Sequence, residues 1–317
     1  MPTPRLLLAL VALVLAVGSG CEAPLKPKSQ DGHDTVVAAS PTPSSSATAR
    51  PRRPASGTPD PTASASSSAS SAVSVPAKLR VPRIPTVPAI TGPLLGGDIS
   101  WPQCPKGLGI PEKRTEGLPL PDATARFVVI GLTNGPGFVA NPCLASQVAW
   151  ARSRHLLVAA YSVISGPTRF SPSGVTGERL GAQQARFNIA SLRRAGLETP
   201  IIWLDVETVP HFDWSSDRSA NAAVVRGAAS AYRAAGFAVG VYSTPYLYAG
   251  VVGDLRLGLP EWRAAGQTSR AEAESRCGRD WVIQGGSGVL GQWVEDGRDR
   301  NVTCPRATGL GRYFHQY

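Results

Sequence analysis

Histidine is scarce in this chain of 317 residues, and the four present (His33, His155, His211 and His315) show none of the spacings that gather ligands around zinc. No metal and no cofactor is therefore expected. No glycine-rich turn follows the first strand-like run, which removes the phosphate cradle of a dinucleotide-binding sheet. "GGSGV" (285–289) misses the last glycine of a nucleophile elbow and lacks a strand–turn–helix setting. The apolar run at the N-terminus, residues 6–17, is short of the roughly 20 residues that a membrane-crossing helix needs. Basic residues are scattered rather than clustered. The formal charge of +10 divides into +5 for residues 1–93 and +5 for the rest, so nucleic acid is not an expected partner.

What the sequence does have falls into three parts. Residues 1–20 read as an export signal: Arg5, the apolar run "LLLALVALVLAV", then "GSGC". A plain cleaved signal and a short uncleaved anchor are both compatible with this. The sharper expectation is a lipoprotein, with Cys21 acylated as the mature N-terminus. Ser19 and Gly20 suit the small positions before it, whereas Gly18 stands where leucine is usual. The cysteine count favours that reading. Five cysteines leave one over in an exported chain, and lipidating Cys21 leaves four, enough for two disulfides. Residues 21–93 are dominated by Ser, Pro, Thr and Ala, a composition that cannot bury enough apolar surface to offset the entropy of ordering. They read as a disordered tether with a reach of roughly 45 Å. Anionic wall polymers or lipid headgroups are then the expected partners of the positive charge, on the outer face of the membrane or in the wall.

Residues 94–317 form one domain-sized block. "GGDISW" (96–101), "FVVIGLT" (127–133), "LLVAAYSVI" (156–164), "PIIWLDVE" (200–207) and "FAVGVYST" (237–244) are short and almost continuously apolar, as parallel strands covered on both faces are. Helical spacing fills 142–154, 177–196 and 218–236, the last two closing on Gly196 and Gly236. "PEWRAAG", "DWVIQGG" and "VLGQWVE" then follow as strand-like pieces without comparable helices. The expected fold is α/β: a TIM-like barrel of five β/α units closed by three further strands. A Rossmann-like open sheet is the alternative.

Acids fall where such a barrel places chemistry, at the C-terminal ends of strands. Asp205 and Glu207, at i and i+2, face the same side of the fourth strand. Asp98 ends the first, with Ser100 on its face, and Asp299 follows the last. Converging carboxyls raise one another's pKa, so Glu207 beside Asp205 is expected to keep a proton near neutral pH. A protonated acid plus charge-stabilising carboxylates is what glycoside hydrolysis needs. Taken alone, an Asp-x-Glu pair at a strand end is more often a loop onset or an ion-pair partner.

The order "DISWPQ", "FVVIGLTNGPGFVANPCLA", "AAYSV", "GAQQARF", "IIWLDVE", "YRAAGFAVGVYST", "PEWRAA", "GQWVEDGRDRN" resembles the glycoside hydrolase family 25 lysozymes, and most of all their exported, cysteine-containing actinobacterial relatives. Asp98, Ser100 and Gln103 match Asp-x-Ser-x-x-Gln; Asp205 and Glu207 match Asp-x-Glu; Asp299 and Asn301 match the terminal Asp-x-Asn. Gly131 and Leu132 stand where the family often has Lys-Ala. The resemblance implies the five-plus-three barrel and a substrate, the β-1,4 bond between N-acetylmuramic acid and N-acetylglucosamine in peptidoglycan. It implies Glu207 as proton donor, with Asp98, Asp205 and Asp299 in support.

Trp101, Tyr161, Tyr242, Trp262 and Trp293 lie near strand ends and are either sugar-stacking surfaces or barrel packing. Tyr161, Tyr242, Trp262, Trp293, Gln103 and Asn301 are the substrate-binding candidates, Tyr161 and Tyr242 foremost; Trp203 reads as core. Of three possible disulfide pairings, Cys104–Cys143 and Cys277–Cys304 are favoured. A monomer is expected. Two further readings stay open: a silent barrel that only binds wall glycan, and a hydrolase of a different wall glycan.

Overall fold

β-Rich runs of four to eight residues, too apolar to face water on either side, settle side by side in a computed structural model that describes residues 93–317. The export signal, Cys21 and the tether up to residue 92 lie outside the described residues. In chain order the elements are β1 (Leu95–Ile99), β2 (Gly109–Ile110), β3 (Lys113–Arg114), β4 (Phe127–Gly131), α1 (Leu144–Ser153), β5 (Leu157–Val163), α2 (Gly177–Arg194), β6 (Ile201–Asp205) and α3 (Arg218–Ala234). They continue with β7 (Ala238–Ser243), α4 (Pro245–Val252), β8 (Glu261–Gln267), α5 (Arg270–Ser275), β9 (Gly288–Glu295), β10 (Arg298–Thr303) and β11 (His315–Gln316).

The strands follow one another in the order β5-β4-β1-β10-β9-β8-β7-β6, and β6 pairs back onto β5, so the sheet closes on itself. Pairing is parallel from β1 through β4, β5, β6, β7 and β8 to β9, whereas β10 runs antiparallel to both β9 and β1. This is the expected TIM-like barrel, with two differences in detail. No α-helix follows β1; a short 3-10 turn (Trp101–Gln103) and the β2–β3 hairpin fill that crossover. "DWVIQGG" is not a strand either. The N–H groups of Ile283, Gln284 and Gly286 all donate to the Glu261 carboxylate and are lost to any ladder. The strand that completes the barrel is β10, from the charged "RDRNVT".

Alternation along each strand divides the core in two. Phe127, Val129, Leu157, Ala159, Ile201, Trp203, Trp262 and Leu290 fill the barrel. Val128, Ile130, Val158, Ala160, Ile202, Leu204, Val239 and Val241 face outward under the helices, against Val148, Leu180, Ile189 and Val225. Trp203 is thus core, as read. A Cβ at Gly240 would strike the Trp203 ring, and one at Gly131 would meet Tyr161 and Ser100, so both glycines make room for aromatic bulk inside. Both disulfides form as favoured: Cys104–Cys143 spans 39 residues and Cys277–Cys304 spans 27. Loops of that size stabilise by about 3.5–4 kcal/mol each on the chain-entropy account. Among the described residues no helix is long and apolar enough to cross a membrane.

Helices α2 and α3 touch more intimately than any other pair. A Cβ at Gly181 would run into the Val224 carbonyl, and one at Gly227 into that of Glu178. Backbone cannot step aside as a flexible side chain can. Gly181→Ala is therefore expected to destabilise by about 2 kcal/mol, lowering Tm by roughly 4–8 °C. Thermal unfolding of the variant measures this, and an unchanged Tm would show that the helices separate freely.

Candidate active site

Inward-facing positions at one end of the barrel carry polar groups instead of the aliphatics found below them. Asp98 comes from β1, Tyr161 from β5, Asp205 from the last residue of β6 and Tyr242 from β7. Gln292 comes from β9, with Asp299 and Asn301 from β10. Register brings them together: Asp205 pairs with Tyr242, Tyr242 with Trp262, and Asn301 with Gln292. Because β10 is antiparallel, its first residues lie beside the C-terminal end of β1, and Gly97 opposite Arg300 sets Asp98 near Asp299. Glu207 stands two residues past Asp205, half-buried, with its own carbonyl accepting from the Trp214 indole at 2.9 Å.

One hydrogen-bond chain has its polarity fixed from the Trp262 end. The Trp262 indole N–H can only donate, and it donates to Asn301 Oδ1 at 2.7 Å. Asn301 Nδ2 is thereby turned toward Asp98 and donates to Oδ2 at 2.6 Å. From the other side Tyr242 donates its hydroxyl proton to Gln292 Oε1 at 2.8 Å, and Gln292 Nε2 donates to the same Asp98 Oδ2 at 3.1 Å. Asp98 Oδ2 is an acceptor twice over. Asp205 differs: it is buried, and Oδ1 has no hydrogen-bond partner among the described residues.

Burial dominates the electrostatics. It raises Asp98 well above the ordinary carboxyl range, helped by the charge of Asp299 and opposed by the Asn301 and Gln292 donors. Burial also raises Asp205 well above its usual value, with Glu207 and Asp98 adding to it. Glu207 is pushed up to about 7 by burial and then by Asp299, while the Lys113 ammonium pulls the other way. Burial brings Asp299 to about 6. Tyr161 and Tyr242 are both raised by burial first, so they stay protonated donors.

The remaining candidates are distributed unevenly. Trp262 is 1% exposed and lies beneath Tyr161 and Tyr242, with ring centroids 5.8 and 4.5 Å away; it supports the site and offers no free face. Trp293 is outside the barrel, packed with Ala265, Ala273 and Val302, since its neighbour Gln292 takes the inward position of β9. Gln103 accepts the Ser100 N–H at 2.8 Å and is used in holding the turn after β1. Asn301 holds Asp98. Gln292 and Lys113 were not singled out from the sequence. Gln292 was legible in principle, being in phase with inward Leu290 and opposite Asn301; nothing marked Lys113. Among the described residues no three His, Cys, Asp or Glu side chains gather so as to hold a metal ion.

Fold and site together define a closed β/α barrel with four carboxyls and two tyrosines at its mouth. Residues 146–276, under half of the chain, match the family model "Lys-1: Lysozyme-like protein 1", so the chain is lysozyme-like over that span. Among solved structures it is similar to a family 25 glycosyl hydrolase from Bacillus anthracis, with 16% identity over 70% of this chain and 94% of that one, TM-score 0.47. It is also similar to a muramidase from Acremonium alcalophilum, with 18% identity over 69% and 99%, TM-score 0.46. A third is the modular autolysin LytC from Streptococcus pneumoniae, solved with a synthetic peptidoglycan ligand: 14% identity over 66% of this chain, TM-score 0.42. The chain spans 46% of LytC, about half its length. No curated protein matches the sequence. The barrel itself is defined by the strand pairing, closed from β6 onto β5.

Glu207 has a pKa of about 7 in the folded chain against an ordinary 4.5. The folded state therefore binds this proton more tightly than the unfolded state does. The resulting stabilisation is complete below about pH 4.5 and lost as pH rises to about 7. Glu207→Gln keeps the shape without the charge. It is expected to gain on wild type across that window by on the order of 2 kcal/mol and to hold the gain above it. Denaturant unfolding near pH 4, 6 and 8 measures the difference, and a pH-independent offset contradicts the burial of this carboxyl.

Proposed function

We propose that the domain is a cell-wall glycoside hydrolase, a lysozyme-like N-acetylmuramidase acting on peptidoglycan glycan strands. The observation that carries this is the unequal treatment of four acids at one barrel mouth. Of the two acids that reach solvent, Glu207 and Asp299, Glu207 holds its proton higher, to about pH 7 against about 6. Asp98 is clamped as an acceptor by Asn301 and Gln292. A proton donor needs the first property, and an oxygen held as an acceptor facing a developing cation needs the second.

In this reading Glu207 gives its proton to the glycosidic oxygen as the bond from C1 to that oxygen breaks. Positive charge spreads over C1 and the ring oxygen, and the ionised members among Asp98, Asp205 and Asp299 offset it. Water then supplies hydroxyl to C1, leaving a new reducing end, and its remaining proton restores Glu207. Tyr161 and Tyr242 border the sugar. Gln292 is a positioning residue, acting through Asp98. The export signal, acylation of Cys21 and the Ser/Pro-rich tether would hold this activity at the outer face of the membrane, within reach of the wall.

Glu207→Gln is expected to lower release of muropeptides with new reducing ends by about 10²–10⁴-fold, the usual worth of a positioned acid. The wild-type rate is expected to fall on the alkaline side as Glu207 deprotonates near pH 7. Equal release by wild type and variant removes Glu207 from the mechanism. Retention on insoluble peptidoglycan with no product from wild type leaves a barrel that binds glycan without turnover. Release from another wall glycan alone reassigns the substrate.

A further inference from the structure

The β2–β3 hairpin stands in place of the first crossover helix, and it is built for rigidity. Its base is tied by Cys104–Cys143. The Gly107 N–H donates to the Thr115 carbonyl and the Thr115 N–H to that of Leu108, both at 3.0 Å. Asn134, fully buried beyond the end of β4, accepts from the Ile110 N–H and donates to the Lys113 carbonyl, each at 3.0 Å. Gly135 lies so close that a Cβ there would meet Lys113 Cγ at 3.0 Å. The side chain thus directed is half-buried, with Nζ 5.6 Å from the centre of the Trp101 ring, which itself follows Asp98 and Ser100.

Lys113 is a cation without a close counterion. Among the described residues no carboxylate lies within 4.0 Å of its ammonium. Its neighbour Glu112 is engaged by Arg169, with Oε2 accepting from Nη2 at 2.7 Å. The charge also works against the expected chemistry, because it draws Glu207 downward while a proton donor must be held up. A half-buried ammonium on a braced hairpin, facing acids it does not pair with, makes sense if a ligand brings the missing negative charge.

We propose that Lys113, on its Trp101 platform, is an anion-reading subsite at the barrel mouth that selects glycans carrying an oxyanion, a lactyl carboxylate or a sugar phosphate, over neutral ones. This rests on the wall-glycan reading above and adds to it the charge of the preferred strand. Binding such a group pairs the ammonium, cancels its field at Glu207 and leaves that carboxyl to its buried surroundings.

The test is calorimetric binding to the full chain carrying Glu207→Gln, with and without Lys113→Gln or Lys113→Arg. Four tetrasaccharides are compared: muramyl with its lactyl carboxyl free, the same with that carboxyl amidated, chitotetraose, and 6-phosphorylated chitotetraose. The free-carboxyl or the phosphorylated sugar is expected to bind roughly tenfold more tightly than its neutral counterpart, and which one does so identifies the anion. Lys113→Gln is expected to remove that preference without weakening the neutral sugars, and Lys113→Arg to retain it. Equal affinity for charged and neutral sugars overturns the proposal, as does a Lys113→Gln loss shared by all four. Binding of none overturns it together with the glycan reading. A preserved charge preference with no reducing ends released by wild type removes turnover and leaves the role of Lys113 standing.

Discussion

A carboxyl withdrawn from water must find donors or keep its proton, and that constraint governs the whole upper end of this barrel. Four acids are drawn into one mouth, and the surroundings answer each differently. Asp98 has two amide donors on one oxygen. Asp205 has an oxygen with no partner. Glu207 and Asp299 are raised to about 7 and about 6, so the cluster is only partly ionised at neutral pH. Any proton on Asp98 belongs on Oδ1, since Oδ2 is occupied by N–H groups. The arrangement gives four carboxyls at one mouth different hydrogen-bond and electrostatic settings.

Those settings depend on residues one layer deeper. An amide can flip, and a flipped Asn301 would present its carbonyl to Asp98. Trp262 prevents this, because an indole N–H can only donate and so claims Asn301 Oδ1. Tyr242, kept protonated by burial, gives its hydroxyl proton to Gln292 Oε1, and Gln292 Nε2 is left to donate to Asp98. Trp262 and Tyr242 thus serve as donors to the two amides that hold Asp98. Aromatic bulk is accommodated from below, where Gly240 yields space to Trp203 and Gly131 to Tyr161.

Much of this was legible in the sequence, for reasons that also mark where it stopped being so. Strands buried on both faces have continuous apolar runs, and five of those runs stand out in the sequence. Strand-end position and period-two spacing singled out Asp98, Asp205 and Glu207, although β6 ends at Asp205 and Glu207 lies two residues beyond it. "RDRNVT" escaped as a strand because its outward Arg298 and Arg300 read as loop, although Arg300 reaches Asp122 and Glu295 at the rim. "DWVIQGG" deceived in the opposite sense, since Ile283 is buried but the segment's N–H groups serve a side chain. Trp293 looked like a sugar platform because parity along β9 is set by its pairing with β10, which local composition does not reveal. Lys113 belongs to a crossover without helical period, and its placement is set by Asn134 and Trp101, distant in sequence or separated by a turn.

The last third of the barrel shows why its helices can be so short. Between β8 and β9 the six residues of α5 cover little, yet the strands beneath stay closed. The outward face of β8 carries a buried ion pair, Glu261 with Arg263, at 2.7 Å. Such a pair is poor value as a simple attraction, because two charges must be desolvated to form it. Here each partner is fully engaged elsewhere: Glu261 accepts three backbone N–H groups from 283–286, and Arg263 donates to the carbonyls of Arg276 and Gly278. Cys277 joins the same segment to Cys304 just past β10. An irregular segment is thus fixed by charge-assisted bonds and a covalent link where a longer helix would have used apolar area. Trp262 sits between Glu261 and Arg263 in sequence and faces the other way. The polar network that fixes the outside of β8 therefore also fixes the indole that orients Asn301, and through it Asp98.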